Sequence, residues 1–270
     1  MGRTVCAYCK QHGEMTREHL WPASLHRRLM ETTDQKRSAF WLARLQKEIP
    51  SEPQIRDVCA HCNNVVLSEL DGYVCGLFDR ALSRIPAFDE PVRLEYDYHL
   101  LKRWLLKMSF NSARIQGAAD IFALEAMLPY IRGEDSALGR YTHLYLQMSY
   151  PEEVPEEDLV DAAELPRPVV FEPVHHRCGH FFFRVPGVGQ KVLRAVHLRA
   201  YSFYLAFFQP GERTAVMADF EQVFTRVMRG TVRLRVGQTA VEVRCNGLGA
   251  WQSYRGSRVD RIVFGNGQDG

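Results

Sequence analysis

Four cysteines fall in two pairs of the same spacing, Cys6-x-x-Cys9 and Cys59-x-x-Cys62. Thiolates spaced in this way grip one tetrahedral ion, and a closed four-sulfur zinc shell contributes roughly 10 to 16 kcal/mol to ordering a module with little core of its own. Such an ion is structural, because it has no open position at which to activate a substrate. Beside the pairs stand Glu18-His19-Leu20-Trp21-Pro22 and Asn63-Asn64, which two metal-tied knuckles would bring together. A carboxylate and an amide oxygen are hard ligands suited to Mg²⁺ or Mn²⁺. A histidine next to that ion, but not bound to it, can take a proton from water near neutral pH. Glu18, His19 and Asn63 thus form a kit for phosphodiester hydrolysis. Asn64 competes with Asn63 as the ligand, and whichever does not ligate is expected to cap the following helix.

In combination, these strings resemble the HNH (ββα-metal) endonucleases, and within them the four-cysteine zinc branch that includes phage resolvases and modified-cytosine restriction enzymes. The resemblance covers residues 6–71. It implies that Glu18 and Asn63 hold the catalytic Mg²⁺ or Mn²⁺, that His19 is the general base, and that the ends left are 5′-phosphate and 3′-hydroxyl. The family's middle Asn braces the loop carrying the base; Gln54 stands at that spacing here and offers the same bonds with a longer reach. Arg17, Arg27, Arg28 and Lys10 are the candidate phosphate contacts in this part of the chain. DNA is the expected substrate, although nothing in the trio distinguishes a 2′-hydroxyl, so an RNA-directed nuclease is an alternative. A zinc-knuckle module that binds nucleic acid without cutting it is the rival from another class. By association only, a nuclease with an appended domain of unfamiliar type suggests a restriction or phage-defence effector.

The elements that must position these residues read as an α+β chain. Its 270 residues, 46% hydrophobic and 24% charged, suffice for one large domain or two ordinary ones. Residues 1–75 read as the zinc-stapled module, with a helix starting near Asn63 or Asn64 and a helical insertion from Asp34 to Lys47 that offers Phe40, Leu42 and Leu45 to the core. Residues 76–150 read as helical. Leu101, Trp104, Leu105 and Met108 mark one helix over Tyr98 to Ile115, with Lys102, Arg103 and Lys107 on its outer surface, and a second helix is expected over Ala119 to Ile131. Residues 151–173 are rich in Pro and acids and read as a linker.

Residues 174–270 read as a basic, mostly antiparallel β region. Strands are expected at Val169 to Phe171, His180 to Val185 and Leu193 to Phe208, and a hairpin at Val232 to Val243 turning on Gly237-Gln238-Thr239. From Arg177 to Arg261 there are fourteen Lys and Arg against five Asp and Glu, although the whole chain carries only +2. That asymmetry suits a polyanion, with Arg233 and Arg235 as the candidate nucleic-acid contacts, and it equally suits an acidic protein partner. His176, Cys178 and His180 alternate as ligands on one strand face would, but a half-buried sheet edge explains them adequately. Met1 to Gly13 carries no apolar run, and stretches such as Tyr204 to Phe208 are too short to span a bilayer, so neither export nor membrane insertion is expected. Thiols spaced for a metal point to a reducing compartment, the cytoplasm.

Overall fold

The computed structural model describes residues 4–33, 40–49, 52–159 and 167–256. The N-terminal part opens with β1 (Thr4–Val5) and β2 (His12–Gly13), a ribbon carrying the first cysteine knuckle, followed by β3 (Met15–His19) and α1 (Ala23–Thr33). Next come a small hairpin of β4 (Phe40–Leu42) and β5 (Lys47–Ile49), then β6 (Gln54–Cys59), which pairs antiparallel with β3. A continuous helical run follows, wide-turned over Cys62–Leu67, α-helical in α2 (Ser68–Leu77) and wide again over Phe78–Leu82. β3, β6 and this run form a ββα unit.

The remaining elements are β7 (Pro91–Glu95), α3 (Tyr98–Gln116), α4 (Ile121–Glu125), α5 (Leu128–Ile131), β8 (Thr142–Met148), β9 (Glu152–Glu153), β10 (Val170–Phe171), β11 (His176–Val185), β12 (Gly189–Leu198), β13 (Tyr201–Phe207), α6 (Thr214–Val227), β14 (Val232–Leu234) and β15 (Ala240–Arg244). Strands β11-β12-β13-β8-β14 make one five-stranded antiparallel sheet. Alternation along β8 divides the interior. Leu144, Leu146 and Met148 join the core that contains α3, whereas Tyr145 joins a second cluster with Phe220 and Phe224 of α6. The main core runs without a break from Cys6 to Cys245, so the region of the cysteine knuckles and the sheet share it through α3.

Helix α3 is well specified locally. Asp97 caps its start, accepting from the Leu100 N–H at 2.8 Å, and Gly117 ends it in the left-handed conformation at φ 66°. The expected surface position of its lysines is not what is found: Lys102 and Lys107 are both buried. The apolar positions cover so much of the helix that its polar residues also fall between neighbours.

Other expectations also change. The described part of the Asp34–Lys47 insertion is the β4–β5 hairpin rather than a helix, and residues 34–39 lie outside the described residues. Phe40 and Leu42 are buried but Leu45 is exposed. The second middle helix breaks into α4 and α5 where Pro129 requires a new start. Leu193 to Phe208 folds back at Arg199 into β12 and β13. The expected Val232–Val243 hairpin does not form: Gly237 turns the chain at φ 83°, but β14 pairs with β8 and β15 with β7. Period two identifies a strand and its faces without naming its partner. The acidic segment contributes the β9–β10 pair. Among the described residues no helix is long and apolar enough to cross a membrane.

Lys102 supplies a test. Its Nζ donates to the Tyr98 hydroxyl at 3.0 Å, to the Gly139 carbonyl at 2.6 Å and to the Thr142 carbonyl, with no carboxylate partner among the described residues. Burial, aided by Arg233, pulls its pKa from 10.5 down to about 7. Between those values the unfolded chain binds a proton that the folded chain does not, so this group's contribution to stability rises with pH, by at most about 1.4 kcal/mol per pH unit. Thermal unfolding of wild type and Lys102→Met from pH 7 to 9.5 should show the difference moving in favour of wild type as pH rises. A pH-independent difference would contradict the assignment.

Candidate functional site

The sulfurs of Cys6, Cys9, Cys59 and Cys62 lie within 4.8 Å of one another. The Cys9–Cys59 separation of 3.7 Å is far beyond a disulfide and matches the edge of a tetrahedron with metal–sulfur bonds of about 2.3 Å. The Cys59 N–H points at Cys6 Sγ at 3.3 Å, and Lys10 takes a positive φ of 60° to close the first knuckle. Burial raises the Cys6 pKa, but N–H groups of Cys59 and Cys9 outweigh it and hold the thiol at about 7. The four thiols therefore fit a zinc ion.

From this staple β3 and β6 run antiparallel, and their register slips: Thr16 faces Val58 and Glu18 faces Ile55, so Arg17 alone opposes Arg56 and Asp57. Strict alternation would send Met15, Arg17 and His19 to one face. Instead Met15 and Glu18 are buried, Arg17 is exposed, and the His19 side chain is 36% exposed. Asn63 braces the irregularity, its Nδ2 donating to Thr16 Oγ1 at 2.9 Å and to the Arg17 carbonyl at 3.0 Å. Asn63 is therefore the asparagine that faces the strand. Asn64 is exposed, and neither caps the helix, whose flanking residue is His61 without a side-chain cap.

His19 Nδ1 lies 2.7 Å from Glu52 Oε2, and Glu52 Oε1 accepts the Trp21 N–H at 2.5 Å. Glu52 is 9% exposed at its side chain, and burial raises its pKa against the opposing pull of His19. With the carboxylate as acceptor, Nδ1 carries the proton and Nε2 presents its lone pair. Gln54, the expected brace, is exposed and only 3.5 Å from Nδ1, too long for a useful bond. Glu52 fills that role.

Behind the strand, the inner face of α3 presents Lys107, Asn111 and Arg114 in one stripe. Lys107 Nζ is 3.0 Å from Glu18 Oε1 and 2.7 Å from each oxygen of Asp71. Burial pulls the lysine's pKa down, but Asp71 and Glu18 outweigh it, and the net direction is up. Asn111 Nδ2 donates to Glu18 Oε1 at 3.0 Å and to the His19 carbonyl at 3.2 Å, while its Oδ1 accepts from Tyr8 and Arg114. Glu18 is thus held through one oxygen. Its Oε2 and Asn63 Oδ1 accept no hydrogen bond among the described residues, and neither is sealed from solvent. These two oxygens are thus left without a donor among the described residues, while the other oxygen of Glu18 is already paired with the Lys107 ammonium at 3.0 Å. Glu52, Lys107 and Asn111 were missed from sequence as parts of the site, and Asp71, weighed as a supporting group but expected on a solvated helical face, is drawn into it by Lys107; the helical spacing of Lys107, Asn111 and Arg114 within an apolar helix was the available signal, whereas nothing marked Glu52.

The candidate nucleic-acid contacts divide. Arg17 and Arg27 are exposed, with no ion pair among the described residues. Arg28 is paired through two bonds with Asp79, and Lys10 with Glu125. Arg233 and Arg235 both pair with Glu221 of α6, and Lys191, Arg194, Arg244 and Arg255 also pair with acids, so much of the basic excess is spent inside the fold. His176, Cys178 and His180 make no metal cluster: His176 packs on Trp21 and His26, and His180 on Phe182. Comparison with family models, curated proteins and solved structures finds no match.

Metal removal should act on the whole chain, because the knuckle residues Cys6 and Cys62 belong to the same core as α3. One zinc per chain is expected by elemental analysis. A strong chelator or Cys59→Ser should lower the single calorimetric transition. A separate low-temperature transition that leaves the main one in place would show that the module is energetically detached.

Proposed function

We propose that this protein is a zinc-stapled endonuclease that hydrolyses phosphodiester bonds, with DNA as substrate. The observation that carries the reading is the His19 imidazole, oriented by a buried carboxylate at 2.7 Å on a ββα unit whose strand and helix also present Glu18 and Asn63. His19 Nε2 would deprotonate the attacking water, and Glu52 would stabilise the imidazolium that results. Mg²⁺ or Mn²⁺ held by Glu18 Oε2 and Asn63 Oδ1 would supply Lewis-acid stabilisation of charge on the phosphate. Asn63 and Asn111 fix the strand that carries the base, and the exposed Arg17 and Arg27 would neutralise phosphates of the substrate.

The binding-only reading has one specific observation in its favour: Lys107 already supplies a cation to Glu18, which lowers that carboxylate's attraction for a metal ion. Supercoiled plasmid separates the two. With Mg²⁺ or Mn²⁺, wild type should nick or linearise it while His19→Ala does not, and RNA of the same sequence should survive. Equal RNA cleavage would reassign the substrate. Zinc-loaded wild-type protein that binds but never cuts would favour the binding module.

Glu52→Gln gives a finer test of the orienting role. It should lower kcat by about 10- to 100-fold, with the acidic limb of the pH–rate profile displaced and KM little changed. An unchanged profile would remove Glu52 from the mechanism.

A further inference from the structure

Between α6 and β14, on the α6 side of the large sheet, runs an open groove of about 720 Å³. Small-ligand sites span roughly 300 to 1,000 Å³, and a bare inorganic anion would leave most of this space empty. One wall is α6, through Thr214, Met217, Glu221 and Gln222, and the other is β14, through Arg233 and Arg235. His143 of β8 also lines it. The register that sets Leu234 against Leu144 carries Arg235 to the level of His143.

Two guanidiniums meet one carboxylate in this groove. Arg235 Nη2 donates to Glu221 Oε1 at 2.6 Å and Arg233 Nη1 to Oε2, so one positive charge of the lining stays uncompensated. Arg235 is 53% exposed, and its Nε and Nη1 bond to no acceptor among the described residues. Thr214 opens α6, a 14-residue helix whose first turn holds no acid and whose flanking Arg213 supplies no side-chain cap. The N–H groups of that turn lack carbonyl partners within the helix, and the helix dipole adds partial positive charge there.

The observation independent of the helix is His143. Only 6% exposed, it has Nδ1 3.4 Å from the Tyr145 hydroxyl and its ring 4.6 Å from that of Phe208. Its Nε2 has no partner among the described residues yet is not sealed from solvent, so it opens into the groove it lines. Burial, reinforced by Arg233, Lys102 and Arg235, holds its pKa at about 3. The ring is therefore neutral and can donate from one nitrogen to an oxyanion without itself being charged.

We propose that this groove binds a nucleotide, its phosphate held by the first turn of α6, His143 and Arg235, and its nucleoside lying along Met217 and Gln222. A free mononucleotide and one nucleotide of a nucleic-acid strand both supply that chemistry. His19 is not part of the groove, and binding is read without the catalytic metal.

Calorimetric titration of the zinc-loaded full chain without Mg²⁺ or Mn²⁺, at constant ionic strength in chloride, tests the proposal. The ligands are adenosine monophosphate, a single-stranded trinucleotide, inorganic phosphate and adenosine. One or both nucleotide ligands should bind about 10-fold or more tighter than phosphate or adenosine, because only they engage both halves of the groove. Tighter binding of the monophosphate identifies a free-nucleotide site, and tighter binding of the trinucleotide identifies a strand. Phosphate or adenosine bound as tightly as both, or no heat from either nucleotide ligand in the millimolar range, overturns the proposal. Thr214→Asp keeps a favourable helix start but sets a carboxylate against the ligand, and Arg235→Gln removes the exposed guanidinium. Each should weaken nucleotide binding about 10-fold or more while the thermal transition is retained. Wild-type affinity in folded Thr214→Asp would refute the assignment.

Discussion

A lysine ammonium, that of Lys107, sits between two carboxylates brought by different elements, Glu18 from β3 and Asp71 from α2. Neither acid could be buried alone at acceptable cost, and the lysine could not be buried without them. The contact ties strand, helix and α3 into one arrangement. It also fixes which way β3 faces, because Glu18 turned inward leaves His19 outward. Asn111, one turn further along α3, repeats the constraint by bonding both the Glu18 carboxylate and the His19 carbonyl. The cysteine knuckles lie at the ends of the β3–β6 pair, but its rotation against the rest of the molecule is set from α3.

The large sheet answers to the same helix. One face packs on α3 and the other on α6, and β8 at its heart is buried throughout. The tie between sheet and module is direct: His176 at the start of β11 packs against Trp21, whose N–H is held by the carboxylate that orients His19.

Much of the architecture was legible in the chain. Two C-x-x-C pairs foretold the four-sulfur cluster, and the spacing of Leu101, Trp104, Leu105 and Met108 located α3 to within a residue or two, whereas nothing in the chain marked Met15–His19 as a strand. Short-range pattern failed where it had to choose partners. Val232 to Leu234 and Ala240 to Arg244 read as strands and are strands, yet each pairs with a segment about 90 to 150 residues earlier in the chain. Arg233 and Arg235 read as open charge, yet both pair with the single carboxylate of Glu221, which offsets one of their two charges and which periodicity within the strand could not reveal.

The sequence by itself determined the metal-binding chemistry, the residue types of the site and the α+β composition, because these follow from spacings of a few residues and the geometry of a single turn or knuckle. Only the tertiary structure decided that Glu52 rather than Gln54 holds the histidine, that Lys107 and Asn111 stand behind Glu18, and that the basic C-terminal region spends much of its charge internally. Those outcomes depend on which faces of distant elements meet. Burial enforces such pairing through the cost of an unpaired buried charge, a long-range condition that no local window of residues contains.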